Sequence, residues 1–350
     1  MSIDLVDVSI FMPVYNGSKY LEESIASVLN QTFKNFELVC VDDSSIDDSC
    51  KIIKEFADKD SRIRLFKKAN GGTVPKSWNF VLPLLKGRSI TYMSQDDLMS
   101  EDNLEKMSER QKETAADCIL PNMVFYYENG LNDTGRFGVN GNSEVILTNK
   151  EAVLLSLNWR IHGFALWKSK LFKNEKFPED SFDSDEYMVR KLFYKCNKVA
   201  FCKSTFYYRQ DNEQAITKSF SRRNYYSILR DYKIYRFLVD NNFDFKIVSS
   251  KLQEIYKDYI QLYRFHLLRK SIYSDNDYNS ISIMLEKVYI KLKNEVFIHF
   301  KRNKFKPRFN CFLFLNYAVF KFVLFNVYIL DKFLRKLRNL KNSITKLSKR

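Results

Sequence analysis

The chain has 350 residues, a formal net charge of +15 and a hydrophobic content of 45%, which place it among globular proteins large enough for two domains. Its six cysteines form no CxxC pair and it has only three histidines, which argues against a zinc site and favours reduced, mostly buried thiols. The first residues lack a basic n-region and a long apolar h-region, so we expect no secretory signal and a cytoplasmic location.

Four short hydrophobic runs alternate with helical patterns over the first hundred residues. The runs at 8–13, 36–41, 63–66 and 90–93 predict strands, and helices are predicted at 18–30, with Ser18 as its N-terminal cap, around 52–56 and at 76–85. This alternation indicates an α/β fold with a doubly wound, mostly parallel sheet. Right-handed crossovers bring the strand ends to one edge, so one crevice should contain four segments: 13–16, 42–43, 70–72 and 96–97.

Two adjacent acids, Asp96 and Asp97, follow the fourth strand directly. Like charges this close must be hydrated, hydrogen-bonded or neutralised by a cation, and hard oxygen ligands suit Mg²⁺ or Mn²⁺. The alternative is that these acids cap the helix expected after Ser100, because Asp favours helix starts. On this stretch alone the two interpretations have about equal weight.

The alternation ends after Leu104. Extended segments are predicted at 119–127, 164–167, 199–201 and 206–209, a short helix at 150–157, and a mobile Gly/Asn-rich loop over the site at 128–143. An acid cluster opens a helix within 177–193, whose apolar face is expected to be Tyr187, Val189, Leu192 and Phe193. From Ser221 the chain is helical and basic, so we place the division into parts at 1–104, 105–217 and 218–350.

Several motifs in order, MPVYNG, FELVCVDDSSIDDS, NGGTVPKSWN, SQDDL, FPEDSFDSDEY and YYRQDNEQAIT, resemble a family 2 glycosyltransferase of the GT-A fold over about residues 6–217. The resemblance is greatest to bacterial capsule, O-antigen and lipooligosaccharide transferases. It implies an inverting transfer of a sugar from a nucleotide-diphospho-sugar, of the UDP type, to an acceptor hydroxyl. It also implies a Rossmann-like sheet with flanking helices, to which the chain adds a C-terminal helical region.

The resemblance assigns roles to individual residues. Asp43 accepts from the uracil ring and Asp42 supports the same turn, while Gln95-Asp96-Asp97 takes the place of the family's Asp-x-Asp site. Asp97 is then the direct ligand of Mn²⁺ or Mg²⁺, with Asp96 beside it near the ribose. The implied nucleotide-sugar site comprises Pro13, Tyr15, Asn16, Asp42, Asp43, Asn70, Gly72, Lys76, Asp96 and Arg209. The chain departs from the family at Ser94, where many members have Asp, and at Ser44, where many have Gly.

The acceptor hydroxyl is a poor nucleophile and needs a positioned base across the sugar from the leaving group. Asp185 and Glu186 are the candidates, and the resemblance favours Asp185, with Ser184 replacing the first acid of the family's Glu-Asp pair. The alternative for the whole cluster is an N-terminal helix cap, favoured by the helix dipole. That cluster comprises Asp180, Asp183, Asp185 and Glu186.

Other residues have a structural alternative beside the functional one. Arg209 follows two tyrosines at a strand end and is expected to hold a diphosphate, with a structural salt bridge as the alternative. His162 is expected to be a surface or hydrogen-bonded core histidine rather than a catalytic one. The tryptophans are expected to pack in the core rather than stack on sugar: Trp78, Trp159 and Trp167.

The basic charge is concentrated at the C-terminal end. From Lys218 onward there are 29 Lys or Arg against 10 Asp or Glu, whereas the first 217 residues have 28 against 32. Such asymmetry indicates an anionic partner, either nucleic acid or a membrane surface. The apolar run 311–330 contains Lys321 and precedes a basic tail, which predicts an amphipathic anchor at the inner face of the cell membrane rather than a span. The alternative is a buried helix with a solvated tail.

Two other function classes compete with the transferase. A basic nucleic-acid-binding protein would suit the interleaved aromatic and basic residues at 225–237, but the acids of the crevice would repel phosphates in the absence of a metal. A sugar-nucleotidyl transferase would have a Gly-rich phosphate loop after the first strand, and residues 13–18 are not one. Neither class is therefore preferred, and no nucleic acid is expected as a partner.

Overall fold

The computed structural model describes residues 6–129, 135–181, 183–213, 215, 218, 221–268, 270, 273–303, 317, 319 and 320. The chain divides into two compact units, Met1–Phe220 and Ser221–Arg350. Most of the predicted anchor at 311–330 and the whole basic tail at 331–350 lie outside the described residues.

The first half of unit Met1–Phe220 is a parallel sheet with helices between the strands. Its strands are β1 (Val8–Val14), β2 (Phe36–Asp42), β3 (Ile63–Lys67) and β4 (Ser89–Tyr92). Its helices are α1 (Ser18–Leu29), α2 (Ser49–Ala57) and α3 (Val74–Val81), the last followed by a 3₁₀ turn at Leu82–Leu84. The strand order is β3-β2-β1-β4, and every pair is parallel. The predicted alternation and the parallel sheet are confirmed.

The sequence explains why β1 and β2 lie at the centre of this sheet. Both read as almost continuous hydrophobic runs, and nearly every residue in them is buried, as expected for strands covered on both faces. The α1 helix buries one stripe of residues at helical spacing against them. Pro75 lies in the first turn of α3, where its missing N–H group costs nothing.

The second half of the unit continues the same sheet with mixed strand directions. Its strands are β5 (Leu98–Met99), β6 (Cys118–Tyr126), β7 (Gly135–Arg136), β8 (Leu166–Lys168) and β9 (Val199–Arg209). Its helices are α4 (Asn103–Thr114), α5 (Asn149–Ser156) and α6 (Ser184–Lys195). The order continues from β4 through β8, β6 and β9 to β5, and β9 lies parallel to β6 while the other pairs are antiparallel.

Three local predictions differ from the structure. The strands predicted at 199–201 and 206–209 are one strand, β9, whose polar middle coincides with a register shift in its pairing with β6. The buried face of α6 contains Met188 and Arg190, whereas Tyr187 and Val189 are only half-buried. Ser18 does not cap α1; instead its amide donates to Oδ2 of Asp47 at 3.0 Å, so the cap comes from the loop before α2.

The predicted loop at 128–143 has regular structure where it is described. β7 pairs with β6, and a turn follows in which Val139 and Asn142 form an isolated bridge. Residues 130–134 of this loop lie outside the described residues. The prediction of a mobile loop therefore stays untested for them.

An aromatic cluster fixes α3 against the sheet. The Trp78 ring stacks on Phe177 and Phe172 with centroids 5.0 and 5.6 Å apart, and its edge meets Phe11 at 4.6 Å. Trp78 and Trp167 are buried as expected, whereas Trp159 is 37% exposed. The thiols that are described are free, and four of the five are buried: Cys40, Cys118, Cys196 and Cys202.

The unit Ser221–Arg350 consists of helices in its described part: α7 (Arg222–Asp240), α8 (Phe245–Leu268) and α9 (Asp275–Asn303). Buried ion pairs and tyrosines hold them together. Glu295 of α9 accepts from the Tyr235 hydroxyl at 2.9 Å and from Arg236 at 2.9 Å. The predicted helical region is confirmed. Within the described residues, no helix has the length and apolarity that crossing a bilayer requires.

Candidate active site

The ends of the four parallel strands meet in one crevice. After β1, the amide of Tyr15 donates to Oε1 of Gln95 at 2.8 Å, and Nε2 of Gln95 donates back to the Tyr15 carbonyl at 3.2 Å. After β2, the amide of Asp43 donates to the last carbonyl of β1 at 2.8 Å. The carboxylate of Asp43 accepts from the amides of Gly71 and Gly72 at 2.7 and 3.2 Å. Hydrogen bonds thus connect all four segments that the topology predicts to meet.

The turn after β1 is held rigidly. Pro13 lies within β1, and Asn16 adopts a left-handed backbone with φ of 49°. The Asn16 amide donates to Oγ of Ser45 at 3.0 Å, and Oδ1 of Asn16 accepts from the Ile46 amide at 2.9 Å. The Tyr15 ring, 44% exposed, is therefore presented to solvent from a fixed backbone.

Two buried acids form the floor of the crevice after β2. Oδ1 of Asp42 accepts from the Ser45 amide at 3.1 Å, so this residue supports the turn. Asp43 pairs with Nζ of Lys68 in addition to its two amide donors. Between the acids and this turn, Ser44 has a left-handed φ of 64°, and its Oγ donates to the Lys68 carbonyl at 2.8 Å. The Asp43 carboxylate is consequently fixed in place.

The predicted residues after β3 lie at the outer edge of the crevice. Asn70 is exposed, and Gly72 has a φ of 69°, a conformation that favours glycine. Lys76 lies in the first turn of α3, and its Cβ is 3.1 Å from the position that a Cβ on Gly71 would take. Lys76 thus packs closely against the backbone of Gly71 at the outer edge of the crevice.

Asp96 and Asp97 differ sharply in environment. Oδ2 of Asp96, a half-buried residue, accepts from Nδ2 of Asn212 at 2.7 Å. Asp97 is 1% exposed, and its Oδ1 accepts from the Arg209 amide at 3.0 Å. Its Oδ2 is buried and has no hydrogen-bond partner in the part of the chain that the structure describes. Burial, and next the charge of Asp96, raise the pKa of Asp97 well above its usual range.

An unpaired buried carboxylate oxygen is costly unless a proton or a cation satisfies it. The helix-cap alternative is not realised here, because α4 begins at Asn103 with Asp102 as its N-cap residue. No group of three or more His, Cys, Asp and Glu side chains suited to a metal occurs among the described residues.

Arg209, at the end of β9, is enclosed by carboxylates rather than open to the crevice. Three acids pair with its guanidinium: Glu23, Glu128 and Asp211. Its Nε donates to the Asp96 carbonyl at 2.7 Å, and the rings of Tyr20 and Tyr126 lie 4.3 and 4.8 Å from the guanidinium carbon. In this conformation Arg209 forms the salt bridges that the sequence left as its alternative, and its role as a diphosphate ligand stays a prediction.

The candidate bases open α6. The carboxylate of Glu186 pairs with Arg190 one turn later, and Nη2 of Arg190 donates to the Ser156 carbonyl at 2.6 Å. Asp185 is half-buried in the first turn of the same helix. The cap position belongs to Asp183, whose side chain makes no capping hydrogen bond there. Glu186 is thus committed to an ion pair.

Two tyrosines that the sequence analysis did not single out, Tyr92 and Tyr208, interact electrostatically with acids of both the Asp96-Asp97 pair and the Asp185-Glu186 pair. Burial raises the pKa of Tyr208 to about 12, and charges on Asp97, Asp96, Glu186 and Asp185 add to the rise. Burial likewise raises the pKa of Tyr92, with Asp185 among the charges that contribute. Asp96, Asp97 and Asp185 therefore act electrostatically on both phenols.

Gln95, Lys68 and Glu23 are further site residues that the sequence analysis gave no role. Lys68 was detectable from its position directly after a parallel strand, the edge at which ligands bind. Gln95 is packed so closely that a Cβ on Gly17 would lie 2.3 Å from its Cδ. Nothing in the pattern indicated Glu23, because α1 presents it on its exposed face.

The comparisons with known proteins agree with this geometry. Residues 9–174 match the family described as glycosyl transferase family 2. The chain is 28% identical over 275 residues to glycosyltransferase GlyG of Streptococcus pneumoniae serotype 4, covering 75% of this chain and 90% of GlyG. It is 25% identical over 221 residues to a GalNAc(5)-diNAcBac-PP-undecaprenol beta-1,3-glucosyltransferase of Campylobacter jejuni, covering 62% and 69%. It spans 25% to 40% of the length of several other curated relatives.

Among solved structures, S. aureus TarS 1–349 in complex with UDP-GlcNAc superposes with a TM-score of 0.59 at 18% identity, covering 73% of each chain. At that identity the likeness shows the fold alone, which is GT-A-like. The fold and the matched domain are those of a glycosyltransferase. Residues 9–174 form a domain of glycosyl transferase family 2. Asp185, Glu186 and Arg209 lie beyond the matched segment.

His162 is a buried core histidine, as expected, and its titration is testable. Its Nε2 lies 3.0 Å from the Pro121 carbonyl, and burial lowers its pKa to about 4. As the pH falls from about 6.5 to about 4, the unfolded chain takes up a proton that the folded chain does not, so stability is lost with acid. His162→Gln removes this loss. We expect wild type to lose about 1.4 kcal/mol per pH unit relative to the variant in that window.

Urea unfolding followed by tryptophan fluorescence measures this difference. The three tryptophans all lie in unit Met1–Phe220, which also contains His162, so their fluorescence follows the unfolding of that unit. Parallel stability curves for wild type and His162→Gln between pH 7.5 and 5 would contradict the prediction.

Proposed function

We propose that the chain transfers a sugar, with inversion, from a UDP-sugar to an acceptor hydroxyl in the synthesis of a bacterial surface polysaccharide or glycolipid. One observation carries the proposal: Asp97, which has a buried oxygen without a partner among the described residues, and the candidate base Asp185 both raise the pKa of the same two phenols, Tyr92 and Tyr208. Leaving-group chemistry and base chemistry require that arrangement, on opposite sides of the transferred sugar.

The donor occupies the crevice at the strand ends in this proposal. The Tyr15 ring packs against the nucleotide, and the fixed carboxylate of Asp43 accepts from the uracil ring. Asn70, Gly72 and Lys76 line the uridine at the outer edge. Hydrogen bonds within the chain already hold the backbone of Tyr15 and the carboxylate of Asp43. These two groups therefore lose little conformational freedom when the donor binds.

The carboxylate oxygens of Asp96 and Asp97 are ligands of the type that a divalent cation prefers. Asp97 offers a buried oxygen without a partner and Asp96 adjoins it, and Mg²⁺ or Mn²⁺ is commonly held by one or two carboxylates together with substrate phosphates. When bound, such a cation neutralises the charge that develops on the leaving diphosphate. Asp97 and Asp96 are the residues that would hold it.

Asp185 then removes the proton of the acceptor hydroxyl as the oxygen attacks. Its neighbour Glu186 is paired with Arg190, and this pair anchors the start of α6 to the Ser156 carbonyl. Arg209 acts indirectly, because its amide and its Nε orient the Asp96-Asp97 turn.

The names of two relatives support the acceptor class. The Campylobacter relative acts on an undecaprenol-diphosphate glycan, and a Bacillus subtilis relative that is 30% identical over 230 residues is a minor teichoic acid biosynthesis protein. Both glycans carry phosphate. We propose a lipid-linked or phosphate-bearing glycan as the acceptor.

Asp97→Asn should abolish turnover and weaken Mn²⁺-dependent UDP binding by at least about tenfold, because it removes the charge that holds the cation. UDP affinity measured with and without Mn²⁺ tests this, together with slow UDP release from a UDP-sugar. Asp58→Asn, an exposed acid after α2, is the matched control and should behave as wild type. Full turnover in chelator, or unchanged metal-dependent binding in Asp97→Asn, would rule out the assignment.

Asp185→Asn should retain UDP affinity and lose about a hundredfold or more in rate, because binding and proton removal are separable. Glu186→Gln, next to it, should retain most of the rate. Single-turnover transfer and nucleotide titration measure the two quantities. If Glu186→Gln is inactive while Asp185→Asn is active, the base is Glu186.

We also propose that the basic C-terminal segment holds the protein on an anionic membrane surface, where a lipid-linked acceptor lies. Each basic residue close to such a surface contributes about 1 kcal/mol. The chain should therefore sediment with phosphatidylglycerol vesicles, detach at high salt, and ignore phosphatidylcholine vesicles. A chain shortened by residues 304–350 should lose this binding and keep UDP release. Equal sedimentation of both forms would show that the segment does not bind membranes.

A further inference from the structure

A second concave site, away from the strand-end crevice, lies in the unit Met1–Phe220. Its walls are the turn after β7 and the segment after α5, and it encloses about 340 Å³, at the small end of ligand pockets in proteins. None of the predicted site residues lines it. We call it the arginine pocket; its lining residues are the segment 135–141 and Leu155, Asn158, Arg160 and Ile161.

Among the described residues, no acid forms an ion pair with the two arginines of the arginine pocket. Its walls contain Arg136 and Arg160 and no acid. Arg136 donates to the carbonyls of Trp159 and Gly135 at 2.9 and 3.1 Å, and Nη2 of Arg160 donates to Oδ1 of Asn140 at 2.7 Å. In the described part of the chain these are neutral partners, so both guanidinium groups keep their full charge. Two planar forks fixed by neutral acceptors are well suited to a phosphate group.

The backbone holds the pocket in shape. Gly138 has a φ of 49°, and a Cβ there would lie 2.2 Å from the Asn142 carbonyl oxygen, so no side chain fits. The Gly141 amide closes the turn by donating to the Phe137 carbonyl at 2.8 Å. The Phe137 ring is 47% exposed and lines the wall, which gives a sugar ring an apolar surface beside the charge.

The pocket is connected to the helix of the candidate base. Its wall residue Ile161 is followed by His162 and Gly163, and a Cβ on Gly163 would lie 2.6 Å from Cγ2 of Val189. Val189 is on α6, one turn after Asp185. The wall of the pocket thus continues directly into the packing of α6, on the acceptor side of the reaction.

We propose that the arginine pocket binds the phosphate group of a phosphorylated sugar. This sugar is part of the acceptor, an identification that rests on the function proposed above. A phosphodiester-linked or diphosphate-linked glycan would place a phosphate in the pocket and present its hydroxyl towards α6.

Calorimetric titration with glucose 1-phosphate tests the site in the full chain. Wild type should bind it, and Arg160→Gln should bind about tenfold more weakly, because a charged donor is lost from an exposed position where folding is not at risk. Arg160→Lys should fall between them, since it keeps the charge and loses the fork. Lys112→Gln, the same charge change at the exposed end of α4, should match wild type. Inorganic phosphate should bind wild type more weakly than glucose 1-phosphate.

Absence of glucose 1-phosphate binding, equal binding by wild type and Arg160→Gln, or equally tight binding of inorganic phosphate would each overturn the proposal. A parallel titration with UDP separates it from the proposed function. If wild type binds glucose 1-phosphate through Arg160 but does not bind UDP, only the donor assignment is contradicted. If wild type binds UDP but does not bind glucose 1-phosphate, only the proposal for the arginine pocket is contradicted.

Discussion

The buried guanidinium of Arg209 is the constraint on which the crevice depends. A charge taken out of water is costly unless it is fully paired, and here carboxylates from α1, from the segment after β6 and from the residues after β9 supply the pairing. The same residue holds the Asp96-Asp97 turn through its amide and its Nε. Removal of the arginine would leave several acids facing one another without a cation. One side chain therefore connects the parallel half of the sheet to the mixed half.

The remaining negative charge in the crevice has a chemical use. Among the described residues, Oδ2 of Asp97 is buried without a hydrogen-bond partner, whereas the carboxylate of Asp43 is held by two amides and a lysine. Asp97 therefore has an oxygen that can bind a cation. Asp43 has a carboxylate of fixed orientation that can accept a hydrogen bond. Two carboxylates at the ends of strands in the same sheet thus differ in chemistry because their surroundings differ, not because their residue types do.

The sequence predicted the parallel half well because its signals are local. Buried runs such as those of β1 and β2 can be read directly, and strand-end residues such as Asp43 then converge by topology alone. The second half was harder to predict because it depends on long-range pairing. The sequence predicts two short strands in place of β9, since pairing with β6 and not composition makes this segment one strand. The ion pairs of Arg209 could not be predicted for the same reason, because its partner Glu23 lies 186 positions away. The arginine pocket has no signature in the sequence, since a turn of glycines and asparagines predicts only a loop.

The turn containing Ser44 has a thermodynamic consequence. A serine with φ of 64° costs about 1–2 kcal/mol more than a glycine would in that conformation, and the hydrogen bond from its hydroxyl to Lys68 offsets part of this. In the unfolded chain, however, serine has fewer accessible backbone states than glycine. The residue therefore makes the folded turn stiffer: fewer alternative geometries compete with the one that aims Asp43 into the crevice. The conformational entropy of this turn is therefore lost when the chain folds. Less of it remains to be lost when a donor binds to Asp43.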